Sequence, residues 1–156
     1  KTKRLAKREK YTLTVSRAFD RVVTGIQTAY SETCWLGKRY SAMISALKST
    51  PTPIPVPPSR PAAGEDESAA KEQSTSTILY HSVELWSQNG ELLCGEVGYT
   101  IGQTYTSMTG FIDATVKSPG SKHSGVGILQ LVCLGKLLQR EGYAFWNLGH
   151  PFNEAK

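Results

Sequence analysis

Tyr11, Leu13 and Val15 alternate with polar residues, the period of a short strand half buried against a core. Phe19, Val22, Val23, Ile26 and Tyr30 then recur at helical spacing, with Ser16 placed to cap that helix. Ser31-Glu32-Thr33 interrupts the pattern, and Trp35 to about Leu47 resumes it as a second helix. Residues 49–78 follow neither period. Six of the eight prolines fall there, at 51, 53, 55, 57, 58 and 61, ahead of a Gly-Glu-Asp-Glu-Ser tract and a Ser/Thr run. Proline removes backbone donors and the tract offers little to bury, so an extended or disordered surface insertion is expected, a proline-recognition ligand being the other reading.

Strand patterning resumes at Leu79. Asn89-Gly90 predicts a type I′ hairpin turn joining strands of about 79–88 and 91–100, and a third strand of about Thr104 to Phe111 follows Gly102. A loop over 112–123 leads through Ser124-Gly125-Val126-Gly127 into a helix with Ile128, Leu131, Val132, Gly135 and Leu138 on one face. Gly142 supplies a left-handed exit, and Tyr143 to Leu148 is apolar enough for a central strand. The elements predict a mixed α/β (α+β) domain with a mainly antiparallel sheet flanked by helices. Neither side of the proline-rich stretch is self-sufficient. One domain over 11–156, interrupted at 49–78 and preceded by a basic arm at 1–10, is therefore expected.

A chain of 156 residues with 39% hydrophobic content suits one soluble domain with a real core, and no apolar run approaches a membrane span. Its net charge of +5 is unevenly placed. Residues 1–10 hold six basic residues and one acidic, and the other 146 are balanced at twelve of each. Such an arm suits an RNA backbone; a solvated tail is the alternative. It has no apolar stretch behind it, so it is not a secretory signal. The chain opens without Met and runs almost at once into a strand, which reads as a fragment lacking an N-terminal portion. Cys34, Cys94 and Cys133 are odd in number and without Cys-x-x-Cys spacing, which points to reduced thiols packed in a core and a cytoplasmic home. His81, His123 and His150 show no metal-ligand spacing, so no metal is expected.

Gly125-Val126-Gly127 at a helix start can be read as an anion cradle, as in coenzyme A binding, although Ser121-Lys122-His123-Ser124 stands where acetyltransferases carry Gln/Arg-x-x-Gly. The larger pattern lies elsewhere. Cys34-Trp35-Leu36, His81-Ser82-Val83-Glu84-Leu85-Trp86, Gly95 to Gly102, Ser107-Met108 and Gly142 to Pro151 together resemble the leucyl/phenylalanyl-tRNA–protein transferases, whose catalytic domain is acetyltransferase-like. The segment 81–86 is nearly identical to that family's His-Ser-Val-Glu-Val-Trp, and the likeness covers most of the chain outside 49–78.

The resemblance implies transfer of Leu or Phe from aminoacyl-tRNA to a protein with N-terminal Arg or Lys, in an N-degron pathway of protein turnover. The implied partners are aminoacyl-tRNA and that acceptor protein, with no cofactor, metal or membrane. The chemistry is aminolysis of an activated ester, which needs a held amine, a proton acceptor and donors for the developing oxyanion. Trp35 and Met108 match the family's aminoacyl and tRNA-terminus pocket, beside Ser107. The acidic residue of the family's Glu-Ser-Met falls on Thr106, and its catalytic Asp-x-Gln on Asn147-x-Gly149. Asn can orient an amine but cannot take its proton. His150 then stands as a replacement base, with Glu96 and Asp113 as acidic alternatives, Glu96 being equally readable as a solvent-facing strand residue. Two further readings remain: a non-catalytic relative that binds tRNA or protein N-termini, and a coenzyme A-dependent N-acetyltransferase.

Overall fold

A computed structural model describes residues 10–48, 52–55, 75–118 and 120–149. The elements run β1 (Thr12–Val15), α1 (Phe19–Tyr30), a 3-10 turn (Ser31–Thr33), α2 (Lys38–Leu47), β2 (Thr52–Pro55), β3 (Thr75–Trp86), β4 (Leu92–Ile101), β5 (Thr104–Ile112), α3 (Ala114–Lys117), α4 (Val126–Arg140) and β6 (Phe145–Asn147). The sheet order is β1-β3-β4-β5-β6, with β2 also paired to β3. All pairings are antiparallel except that of β5 with β6. A parallel pair needs a crossover, which here runs through α3 and α4. The mixed α/β class expected from the sequence is thus the one observed.

Helices cover both faces of the sheet. On one face, Phe19, Val22, Val23 and Ile26 of α1 pack with Leu36, Ile44 and Val97, and Tyr80, Met108 and Phe111 close over them. On the other, Val126 and Leu129 of α4 meet Leu85, Leu93 and Cys94, and Leu134 and Leu138 meet Val83 and Tyr105. The face of α4 differs from the expected one. Val126, Leu129, Gln130, Leu134 and Leu138 point inward, whereas Ile128, Leu131 and Val132 are exposed. This helix is apolar around most of its circumference, so periodicity alone does not choose its inner face.

Ser16 does not cap α1. It sits at φ 55 and donates its own N–H to the Ser82 carbonyl at 2.7 Å. The N-terminus is held instead by the fully buried Glu84, whose Oε1 accepts from the Ala18 N–H at 3.1 Å. Glu84 also accepts from the Ser82 and Thr14 hydroxyls, each at 2.5 Å. Thr14 in turn accepts from the Trp86 indole at 2.7 Å, and the Arg17 and Arg21 guanidiniums lie 5.7 and 5.0 Å from that ring's centre. Ser82, Glu84 and Trp86 therefore form one rib, clamping β1 and α1 to the sheet.

Three other expectations change. The Ser87–Glu91 hairpin has Gly90 at φ 80 but no left-handed Asn89, and Gly90 N–H bonds Ser87 O while Ser87 N–H bonds Glu91 O. This is a three-residue loop with its glycine at the bulge position, not a type I′ turn. The second helix begins at Lys38 rather than Trp35, because Ser31–Thr33 forms a separate turn and Leu36 is buried between the two. The last strand covers only Phe145–Asn147 and lies at the sheet edge, with Phe145 and Leu148 exposed, rather than in the centre. At both ends of the proline-rich stretch the backbone joins the sheet, since Thr52–Pro55 pairs with Thr75–Ile78. Residues 56–74 and the arm at 1–9 lie outside the described residues.

Candidate functional site

Parallel strands β5 and β6 pair only over Thr104–Thr106 and Phe145–Asn147, leaving β5 beyond Thr106 without a β6 partner. A bulge falls there, since Val97 faces Thr109 and Gly98 faces Ser107, so Met108 is the extra residue. Bulges re-aim side chains and end strand pairing. Beside the unpaired stretch lies a cavity of about 300 Å³, bounded by the end of α1, the β4–β5 floor and the first turns of α4. Tyr30, Phe111, Ile112 and Leu131 give it apolar walls, and the exposed Lys117 adds a cation.

The floor is polar. Glu96 is only 7% exposed, so the solvent-facing reading of this residue is corrected: both sheet faces are covered, and alternation offers no wet side here. Its Oε1 accepts from Tyr105 Oη at 2.9 Å and from Ser107 Oγ at 2.8 Å. Ser107 Oγ accepts in turn from the Trp146 indole at 3.0 Å. Glu96 Oε2 has no partner among the described residues. Burial raises the Glu96 pKa above its ordinary value, and the Ser107 and Tyr105 hydrogen bonds oppose that rise. Burial, reinforced by the nearby Glu96, pushes the Cys94 thiol up to about 12, so this cysteine is a packing residue and not a nucleophile.

Gln130 is the second polar group at this cavity. It is 5% exposed, and its side-chain amide has no hydrogen-bond partner among the described residues. Gly110 keeps the space open. A Cβ there would lie 2.8 Å from the Gly95 carbonyl and 3.1 Å from Glu96 Cβ.

The residues singled out from the sequence divide into two groups. Thr106 and Asn147 are register partners, and Ser107 joins them to the Glu96 floor. Asn147 is exposed, and its Oδ1 accepts from the Gly149 N–H at 2.9 Å, shaping the turn that leaves β6. Met108 packs against the α1 core at the bulge. Trp35 stands apart, 47% exposed and edge-on to Tyr40 at 6.3 Å, while its neighbour Leu36 is the buried anchor. Asp113 caps α3 by accepting from the Thr115 N–H at 2.9 Å. His150 lies outside the described residues. Glu96, noted only as an alternative, and Gln130 went unrecognised as a pair. The available signal was Gln130 itself, four residues from both Val126 and Leu134 on the inner helical stripe.

Gly125 begins α4 at φ 94 with no side-chain cap. A neighbouring cavity of about 450 Å³, lined by Lys117, Ser124 and Gly127 among others, meets the first turn of the helix. Helix N–H groups and a lysine suit a phosphate. Among the described residues no group of three or more His, Cys, Asp or Glu could hold a metal ion, and no helix is long and apolar enough to cross a membrane. Compared with known proteins, the chain matches no family model and no curated sequence.

Proposed function

We propose that this chain is an acetyltransferase-like domain that moves an aminoacyl group from tRNA to the N-terminal amine of a protein. The observation that carries the reading is the cavity beside the point where β5 and β6 part, with apolar walls and a buried carboxyl at its floor. Strand order supports the fold assignment: an antiparallel series ending in one parallel pair bridged by a helix. An aminoacyl side chain would enter between Tyr30, Phe111 and Leu131, with the ester toward Ser107, which bonds the Glu96 floor, and Asn147, the register partner of Thr106. Asn147, paired to Thr106, would orient the attacking amine at the strand end. The tRNA 3′-terminal phosphate would meet Lys117 and the start of α4. His150 remains the proposed proton acceptor, with the transfer placed in the cytoplasm and the acceptor bearing N-terminal Arg or Lys.

The test is transfer of label from tRNA charged with radioactive amino acids, Leu and Phe among them, to peptides beginning with Arg or Lys. Label on the peptide, abolished by Asn147→Ala while tRNA still binds, is the expected result. No label from any amino acid, with tRNA still bound, would replace the enzyme by a binding relative. The glycine-led start of α4 favours one second reading, a coenzyme A-dependent acetyltransferase, for which acetyl-CoA should raise the melting temperature in the absence of tRNA.

A further inference from the structure

The cavity at the β5–α4 junction carries two polar side chains whose hydrogen-bonding groups are not all met among the described residues. Glu96 offers Oε2, and Gln130 offers a whole carboxamide, each more than nine-tenths buried and lining the same space. Buried polar groups are nearly always hydrogen-bonded, because an unmet donor or acceptor keeps its desolvation cost. Two such groups on one cavity, unmet among the described residues, point to a ligand as their partner. The walls specify the rest of the ligand: Tyr30, Phe111, Ile112 and Leu131 suit an aliphatic or aromatic stem.

We propose that Glu96 and Gln130 form a two-point reader for a side chain with an apolar stem and a terminal hydrogen-bond donor, a phenol or a primary amine, rather than for a purely apolar one. The inference rests on the aminoacyl-transfer reading and sharpens it by naming the class of amino acid taken. The donor end gives its hydrogen to Glu96 Oε2, and the Gln130 amide completes its hydrogen bonding. A wholly apolar side chain would fill the same walls but leave both groups unmet. Sites built to hydrogen-bond a substrate discriminate strongly against the analogue that lacks the group. Tyr105 and Ser107 fix the carboxyl by donating to Oε1, and the Trp146 indole holds Ser107 in place, which leaves Oε2 for the ligand.

The test uses the full chain and non-hydrolysable 3′-aminoacylamino-3′-deoxyadenosines in two matched pairs, Phe against Tyr and norleucine against Lys. Within each pair only the terminal donor changes. We expect the donor-bearing member of at least one pair to bind about 10- to 100-fold tighter. Gln130→Leu should shrink that ratio while raising thermal stability, because it removes a buried amide that has no hydrogen bond among the described residues. Glu96→Gln should shrink the ratio for the amine most. Equal affinities within both pairs, or a preference for Phe and norleucine, overturn the proposal while leaving aminoacyl transfer intact. So does an undiminished ratio in Gln130→Leu. Binding of no analogue, together with no transfer from any charged tRNA, overturns this inference and the function on which it rests.

Discussion

Removing the carboxylate of Glu84 tests the rib that clamps β1 and α1 to the sheet. In Glu84→Ala the Ser82 hydroxyl, the Thr14 hydroxyl and the Ala18 N–H all lose their acceptor. A buried donor left unmet costs about 1–3 kcal/mol. Ser82 is fully buried and falls in the upper part of that range, whereas Thr14 and Ala18 are half-buried and water can reach them. About 2 kcal/mol for Ser82 and about 1 kcal/mol for each of the others gives a loss near 4 kcal/mol. That is a large fraction of the roughly 5–15 kcal/mol that holds a domain together. Glu84→Gln keeps one acceptor oxygen for Ser82 and Ala18 but turns an N–H₂ toward Thr14, so its loss should be smaller, about 1–2 kcal/mol. Urea unfolding followed by tryptophan fluorescence and far-UV circular dichroism reads both values from the midpoint shift at constant slope. An alanine variant within about 1 kcal/mol of the native chain would refute the clamp, since at least one buried donor must then have found another partner.

Glu96 carries a pH signature. Its unfolded carboxyl titrates near 4.5 and its folded one higher, so between the two the native state holds a proton that the unfolded state has released. Native stability therefore falls as pH rises through that window. Relative to Glu96→Gln, the native chain should lose stability from about pH 4.5 upward until the folded pKa is passed, and parallel stability curves would refute the shift. Gly110→Ala should cost about 1–3 kcal/mol and abolish ligand-induced stabilisation, since the new Cβ meets backbone at 2.8 Å; unchanged melting would show that the sheet yields there. Deleting residues 1–10, with six basic side chains, should lower the slope of log affinity for tRNA against log salt by up to about 4–5; an identical slope would remove the arm from the RNA contact.

Local signals in the chain are clear wherever the cause is local. The inner stripe of α1 was read from Phe19, Val22, Val23 and Ile26. Gly142 ends α4 as expected, at φ 80, with its own N–H and that of Tyr143 returning to the carbonyls of Gln139 and Leu138. What stayed hidden depends on distant partners. The cap of α1 comes from Glu84, 66 residues beyond Ala18, and no window around Ser16 contains it. The orientation of Glu96 depends on α4 covering the second face of the sheet. The choice of inner face on α4 is a competition among apolar residues on nearly every side. The His-Ser-Val-Glu-Leu-Trp segment illustrates both cases: its alternation marks a strand, but Ser82, Glu84 and Trp86 serve the scaffold rather than the cavity.

The chain separation between paired strands also governs the order in which the molecule assembles. Strands β3, β4 and β5 are joined by short turns at Ser87–Glu91 and Gly102-Gln103, so their pairing needs little loop closure. β1 meets β3 across 70 residues, from Thr14 to Glu84, and β6 meets β5 across 41, from Thr104 to Phe145. Long closures slow folding, which makes the three-strand meander the early structure and the flanking segments the late ones. The cavity takes its walls from α1, β5 and α4, so it comes into being only as both late segments dock. A ligand that fills it consequently grips the two ends of the folding sequence at once and stabilises the whole chain, not merely the strands it touches.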